Sequence, residues 1–201
     1  PIQVINTEAQ RLLTDSPEGR RAFLNWGVFH VEPSYRTVWK RYRKALKQRN
    51  AAFRTGDIKL AAAWEPEMIS AGERVHAQRE AFLTIVLSAA LAIAKDWLPK
   101  TTLNWRYRPG WPADSALGEV LRTGRERELA QGFSLYGPHR ADFKIIADGV
   151  EAEKMLSRAQ QKLLVAALRL ALIEHWGHHG VPRPVVLVDD LPAELDEAHR
   201  R

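Results

Sequence analysis

Cysteine is absent from all 201 residues. That excludes a disulfide scaffold, a thiolate zinc site and a cysteine nucleophile, and it fits a reducing compartment. The dipeptide Gly-Lys is absent too, so no G-x-x-x-x-G-K-[ST] loop is available to cradle nucleotide phosphates. No run approaches about 18 apolar residues, so no membrane span is expected. The best stretch, Ala81 to Ala94, is short and flanked by charge. No signal-peptide pattern opens the chain. It starts at Pro1 rather than Met and so reads as an excerpt of something longer. The last absence is local: from Arg36 to Arg54 there are eight basic residues and no acidic one.

What is present reads as globular. Hydrophobic residues make up 45% and charged ones 27%, enough to bury a core in one or two domains. The net charge of +6 is compatible with a nucleic-acid partner without establishing one.

Ile2-Gln3-Val4-Ile5 reads as a short strand, and Thr7 with Gln10 as a capping box for a brief helix ending near Asp15. Ser16-Pro17 is a second helix start, leading into Gly19 to Trp26. From Pro33 to Arg54, Tyr35, Val38, Trp39, Tyr42, Leu46 and Phe53 fall on one helical stripe. Arg36, Lys40, Arg43, Lys47 and Arg54 fall on another. A break at Thr55-Gly56-Asp57 precedes a longer helix from Pro66 to about Asp96. Two long helices with a short linker predict an antiparallel helical arm. After Pro99 the pattern alternates as a strand through Leu103, Trp105 and Tyr107. A polar helix is expected from Asp114 to Ala130, a strand from Phe133 to Ile146 broken at Gly137-Pro138, and a tight turn at Asp148-Gly149. A helix over 157–176 and a strand over 184–188 complete a strand–helix–strand grammar.

Two segments carry chemistry. Ser157 and Gln160 form a capping box at the start of a helix that is apolar on most sides. A hydroxyl, free N–H groups and nearby Arg158 and Lys162 suit a phosphate. On spacing alone, an ordinary capped helix is the simpler reading. Val185 to Val188 then lead into Asp189-Asp190, carboxylates at the carboxyl edge of a buried strand, where α/β ligands bind. One can hold Mg²⁺ while the other orients or deprotonates water. In this order, one helix apart, the two signals are stronger jointly than singly.

Elsewhere the signals divide. Lys40, Arg41, Arg43, Lys44, Lys47 and Arg49 could track a phosphate backbone, or simply form a solvated face. Helical spacing assigns Trp39 and Tyr42 to the core instead. His30-Val31-Glu32 has deaminase spacing without the required cysteines. Glu174, His175, His178 and His179 have passable metal spacing. They read better as basic residues at a helix C-terminus.

Leu156-Ser157-Arg158-Ala159-Gln160-Gln161-Lys162 resembles the signature motif of ABC-type ATPases, in the form found in the RecF family of bacterial recombination-repair proteins. Other segments agree in family order: 20–30 (Arg-Arg-Ala-Phe-Leu-Asn-Trp-Gly-Val-Phe-His), 46–51, Gly137-Pro138-His139-Arg140-Ala141-Asp142, and 189–196. The resemblance implies a partial α/β ABC-type ATPase head interrupted by a mainly α-helical arm with long antiparallel helices. The head would comprise 1–16 and 131–201, and the arm 17–130. Two heads would dimerise on ATP and Mg²⁺. Ser157 would contact in trans the γ-phosphate held by the opposite head, supported by Arg158 and Gln160. Asp189 would match the Mg²⁺ ligand, Asp190 the catalytic acid, and Asp196 the D-loop.

The resemblance also implies binding to single- and double-stranded DNA at gaps or junctions. It implies work with RecO and RecR to load a recombinase in repair, replication and the SOS response, and a cytoplasmic, nucleoid-associated location without a membrane. The intact protein would be a slow DNA-dependent ATPase. Two departures stand out. Ala159 replaces the usual signature glycine, and a methyl there would hinder close approach of backbone to phosphate. Without a P-loop, this chain alone is expected to be inactive, and the switch histidine would lie past Arg201. The alternative is a non-catalytic basic helical module, binding DNA or protein, that carries a relic head.

Overall fold

Local chemistry sets most element boundaries in the computed structural model, which describes residues 2–5, 10–182 and 185–188. In chain order these are β1 (Ile2–Ile5), α1 (Arg11–Thr14), α2 (Pro17–Val31), α3 (Tyr35–Arg54), α4 (Ile58–Ala63) and α5 (Glu65–Trp97). Then come β2 (Leu103–Arg108), α6 (Leu117–Gln131), β3 (Asp142–Ala147), β4 (Val150–Glu151), α7 (Ala152–Met155), α8 (Arg158–His178) and β5 (Val185–Val188). Pro17 opens α2, as a proline at the first helical position should. Asp57 caps α4 by accepting a bond from Leu60 N at 2.9 Å. Asp148 and Gly149, at φ 48 and 84, make the tight turn between β3 and β4.

Three expectations are corrected. Helix α1 begins after Gln10, whose side chain makes no cap bond, and Thr7 lies outside the described residues. Helix α6 begins at Leu117 rather than Asp114, because Ala116 is extended. The strand expected over 133–146 is confined to Asp142–Ala147. Upstream, side chains take the backbone groups a ladder would need: Ser134 N donates to Asn50 and Leu135 N to Glu128, at 2.8 and 2.6 Å. A 3-10 turn at Pro138–Arg140 occupies the rest.

The chain packs as two compact units. One gathers residues up to Val31, Ala81–Arg106 and the chain from Phe143 onward. The other gathers Glu32–Glu80 and Tyr107–Asp142. These limits differ from 16/17 and 130/131 because α2 packs with α8. Trp176 Nε1 donates to Gly27 O at 3.3 Å, and the Phe82 ring sits where a Cβ on Gly27 would be.

In the first unit, β1 and β5 pair in parallel, Ile2 opposite Val185 through Ile5 opposite Val188. A three-stranded sheet has the order β2-β3-β4, with β3 and β4 antiparallel. Helix α8 is buried continuously from Gln161 to Leu168. Helix α5 contains an 18-residue stretch apolar enough, by length and composition, to cross a membrane, at mean hydropathy 1.4. Here Phe82, Leu83, Val86, Leu87, Ala90 and Ala94 are buried in the protein.

His175 lies in the same core, beside Phe82 and His179. Burial, then the neighbouring His179 and His178, hold its pKa below the ordinary 6.5. The unfolded chain therefore takes up this proton before the folded one does. The stability is fully present above about pH 6.5 and is lost as pH falls through the lower folded value. Urea midpoints measured at about pH 7.5 and about pH 5.5 should drop on the acid side, and a His175→Gln change should reduce that drop.

In the second unit, α3 and the first half of α5 run antiparallel. Tyr35 bonds Arg79, Arg41 bonds Glu67 and Arg49 bonds Glu65, so partners fall along α5 as positions rise along α3. Tyr35, Val38, Tyr42, Ala45, Met68, Ala71, Val75, Leu117 and Leu121 form the core. Gly137 N donates to Gly110 O at 3.1 Å. A Cβ on Gly110 would lie 2.1 Å from Gly137 O, and one on Gly137 2.3 Å from Tyr42 Oη. Both glycines have φ in the left-handed half, 102 and 132.

Candidate functional site

The signature-like segment is assembled by short-range bonds. Leu156 is extended and buried, ending α7. Ser157 follows as N-cap of α8, at φ −62 and ψ 161. Its Oγ accepts from Gln160 N at 3.3 Å, and its own N–H donates to Gln160 Oε1 at 3.0 Å. Both halves of the capping box read from sequence are therefore made. Gln161, buried just inside, donates Nε2 to the carbonyls of Glu153 and Leu156 at 3.0 and 2.9 Å. That fastens the bridge between α7 and α8 and fixes where Ser157 emerges.

Exposure then sorts the side chains. Ser157 and Arg158 face solvent, and Ala159 and Gln160 are half-buried. Lys162 is buried, so it is not part of the exposed set that spacing suggested. Because Ser157 Oγ caps the helix as an acceptor, its hydroxyl proton remains to donate outward. A hydroxyl donor and an exposed guanidinium at the positive end of a 21-residue buried helix form a surface that suits an anionic ligand. The donor set fits a phosphate. The candidate Mg²⁺ and catalytic residues Asp189 and Asp190, and Asp196, lie outside the described residues.

The second candidate surface is the solvent side of α3. Arg36, Lys40, Arg41, Arg43, Lys44 and Lys47 are exposed. Arg43, Lys44, Lys47, Gln48, Asn50 and Arg54 line an open concavity of about 550 Å³. Arg41 is engaged by both oxygens of Glu67, at 2.6 and 2.9 Å, and that bond holds the Glu67 carboxyl below its usual range. Tyr42 is fully buried, donating or accepting at His139 Nδ1 at 2.6 Å, and its burial pushes the phenol pKa up. Trp39 is half-buried under the Arg79 guanidinium, 4.8 Å from its ring centre. Both aromatics thus belong to the core side of the helix.

Arg49 does not belong to the basic face. Its guanidinium is fully buried and meets Glu65 at 2.9 Å and Glu128 at 2.6 Å. Its Nη1 donates to Ser134 Oγ at 2.8 Å. A charge so enclosed cannot reach a nucleic-acid backbone. The sequence carried the signal for this: Arg49 falls seven residues after Tyr42 and four before Phe53, on the apolar stripe. The Arg140 guanidinium lies 5.6 Å from the Phe133 ring centre, a pairing that nothing in their spacing signals.

No protein-family model matches the chain. It is 40% identical over 202 aligned residues to the DNA replication and repair protein RecF of Sodalis glossinidius, covering all of this chain and 56% of that protein. Identity is 41% to the RecF proteins of Yersinia pseudotuberculosis and Pseudomonas fluorescens, with 56% and 55% of their lengths covered. The chain thus spans little more than half the length of these relatives. Among solved structures it is similar to the recombination mediator protein RecF-ATP of the RecFOR pathway. The TM-score is 0.88 at 20% identity, over the whole of this chain and 57% of that one. A second RecF structure gives 0.87 over 98% of the chain. These likenesses establish the fold as that of the matching part of RecF.

Proposed function

Since the chain is homologous to RecF proteins from end to end, we propose that it serves DNA replication and repair as part of an ATP-dependent DNA-binding protein. The first compact unit acts as the ATPase head and the second as the helical arm. The observation that carries this reading is Ser157: exposed and seated by a complete capping box in which its Oγ only accepts, so the hydroxyl keeps its donor capacity. On this reading Ser157 donates to the γ-phosphate of a nucleotide held by a second copy, with Arg158 beside it and Gln160 holding the serine in place. Asp189 would hold Mg²⁺, Asp190 would serve as the acid near the attacking water, and Asp196 would meet the partner copy. Bound Mg-ATP would supply the charged group that brings two heads together. RecO and RecR are the proposed partners in placing a recombinase on gapped DNA.

The arm supplies DNA contact through the exposed face of α3. Phosphate contacts release counterions, so affinity should fall linearly with the logarithm of salt. Reversing the charge at Lys40, Arg43 and Lys47 together should weaken binding of both single- and double-stranded DNA and flatten that salt slope by about 3. Anisotropy titrations across a salt series measure it. An unchanged slope in the triple variant would remove α3 from the DNA surface. The variant should fold normally, because all three side chains are exposed.

A further inference from the structure

Phe133 is a large aromatic side chain left 37% exposed, and its position is set by both neighbours. Gly132 ends α6 in the left-handed conformation, φ 76, with the Arg54 side chain 3.7 Å from where its Cβ would lie. Ser134 is held by Asn50, whose Oδ1 accepts from Ser134 N at 2.8 Å and from its Oγ at 2.7 Å. Arg54 and Asn50 both line the basic concavity on α3. The residues on either side of Phe133 therefore adjoin residues that line the concavity, Ser134 through two hydrogen bonds to Asn50, so the Phe133 backbone is anchored beside it. The exposed Arg140 guanidinium lies over the ring at 5.6 Å.

A basic groove alone binds duplex and single strand alike, because both present phosphates. A groove with a planar platform at its rim favours unpaired bases, which stack on aromatic rings and on guanidinium planes. A duplex keeps its bases stacked on each other and gains nothing from such a platform. We infer that Phe133, with Arg140 over it, is a stacking platform for an unpaired base of a single DNA strand whose phosphates lie along Arg43, Lys44, Lys47 and Arg54. This rests on the reading of α3 as a DNA surface. It adds that the arm distinguishes single-stranded DNA from duplex.

The test uses the intact protein with a single-stranded oligonucleotide carrying one 2-aminopurine, and with the duplex of the same sequence. Stacking is worth about 1–3 kcal/mol per base, so Phe133→Ala should weaken single-strand binding roughly 5- to 150-fold. The salt slope should stay unchanged, because no phosphate contact is lost. Duplex affinity should stay within about twofold, and Phe133→Trp should restore both the affinity and the 2-aminopurine quenching. If Phe133→Ala binds both forms as the wild type does, or weakens both equally, the platform is overturned. The charge-reversed triple variant separates the two ideas. If it loses affinity while Phe133→Ala loses none, only the platform falls. If the triple variant keeps its affinity, the DNA surface falls and the platform with it.

Discussion

An Arg49→Met variant is expected to lose about 3–5 kcal/mol of stability in the unit built from α3, α4, α6 and the first half of α5. The guanidinium has no exposed surface and joins two carboxylates, Glu65 and Glu128, that are themselves buried. It also lies 4.5 Å from the Phe53 ring centre and donates to Ser134. Removing it leaves Glu128 enclosed without a countercharge. Among the described residues, Glu65 would keep Arg125, at 3.0 and 2.5 Å. Desolvated, uncompensated carboxylates dominate that loss, far more than the missing hydrogen bonds. The double variant Arg49→Met with Glu128→Met should therefore recover much of it, because an apolar pair of similar volume carries no desolvation penalty. Urea denaturation of the single and double variants measures this. A loss under about 1 kcal/mol for Arg49→Met alone would mean that the charges are hydrated and the network contributes little.

On the function proposed above, a Ser157→Asp variant of the intact protein should fold as well as the wild type and fail at ATP-driven pairing. Asp is as good an N-cap as Ser, and its charge suits the positive helix end. Stability should thus be unchanged or slightly raised. The same carboxylate would face the γ-phosphate of a partner's nucleotide. Two unit charges about 4 Å apart at an effective dielectric near 20 repel by about 4 kcal/mol, so ATP-dependent dimerisation should weaken roughly 100-fold or more. Ser157→Ala reverses the pattern on the folding side: it loses the cap bond from Gln160 N and about 1 kcal/mol of stability. Sedimentation with and without ATP, set beside thermal unfolding, separates the two roles. If Ser157→Asp pairs with ATP as the wild type does, Ser157 is only a helix cap.

The parts legible from sequence are those decided within one turn or one strand. The capping box at Ser157, the proline start at Pro17, the Asp148-Gly149 turn and the stripes of α3 depend on residues a few positions apart, and all are present. The segment from Phe133 to the Gly137-Pro138 break reads as strand because Phe133, Ser134 and Leu135 alternate. Their backbone donors were claimed by Asn50 and Glu128, one of them 84 positions away, which no local pattern contains. Arg49 was counted with its basic neighbours by composition, although its phase along the helix placed it with Phe53. The buried carboxylates that decide its fate lie 16 and 79 residues further on. The same distance hides Phe133, whose neighbours Gly132 and Ser134 meet α3 only through the fold.

Gly137 invites a last consequence, for how this sequence can drift. Its missing side chain is where Tyr42 Oη sits, and the strand of backbone opposite, at Gly110, has no more room. A mutational walk through this region therefore meets two positions with a single permitted letter, fixed by backbone crowding and not by any chemistry performed there. The Gly110–Gly137 pair should therefore stay fixed even where the surrounding residues change freely. Its persistence would record a steric dead end in sequence space, and a residue can be a reliable signpost without being part of a reaction.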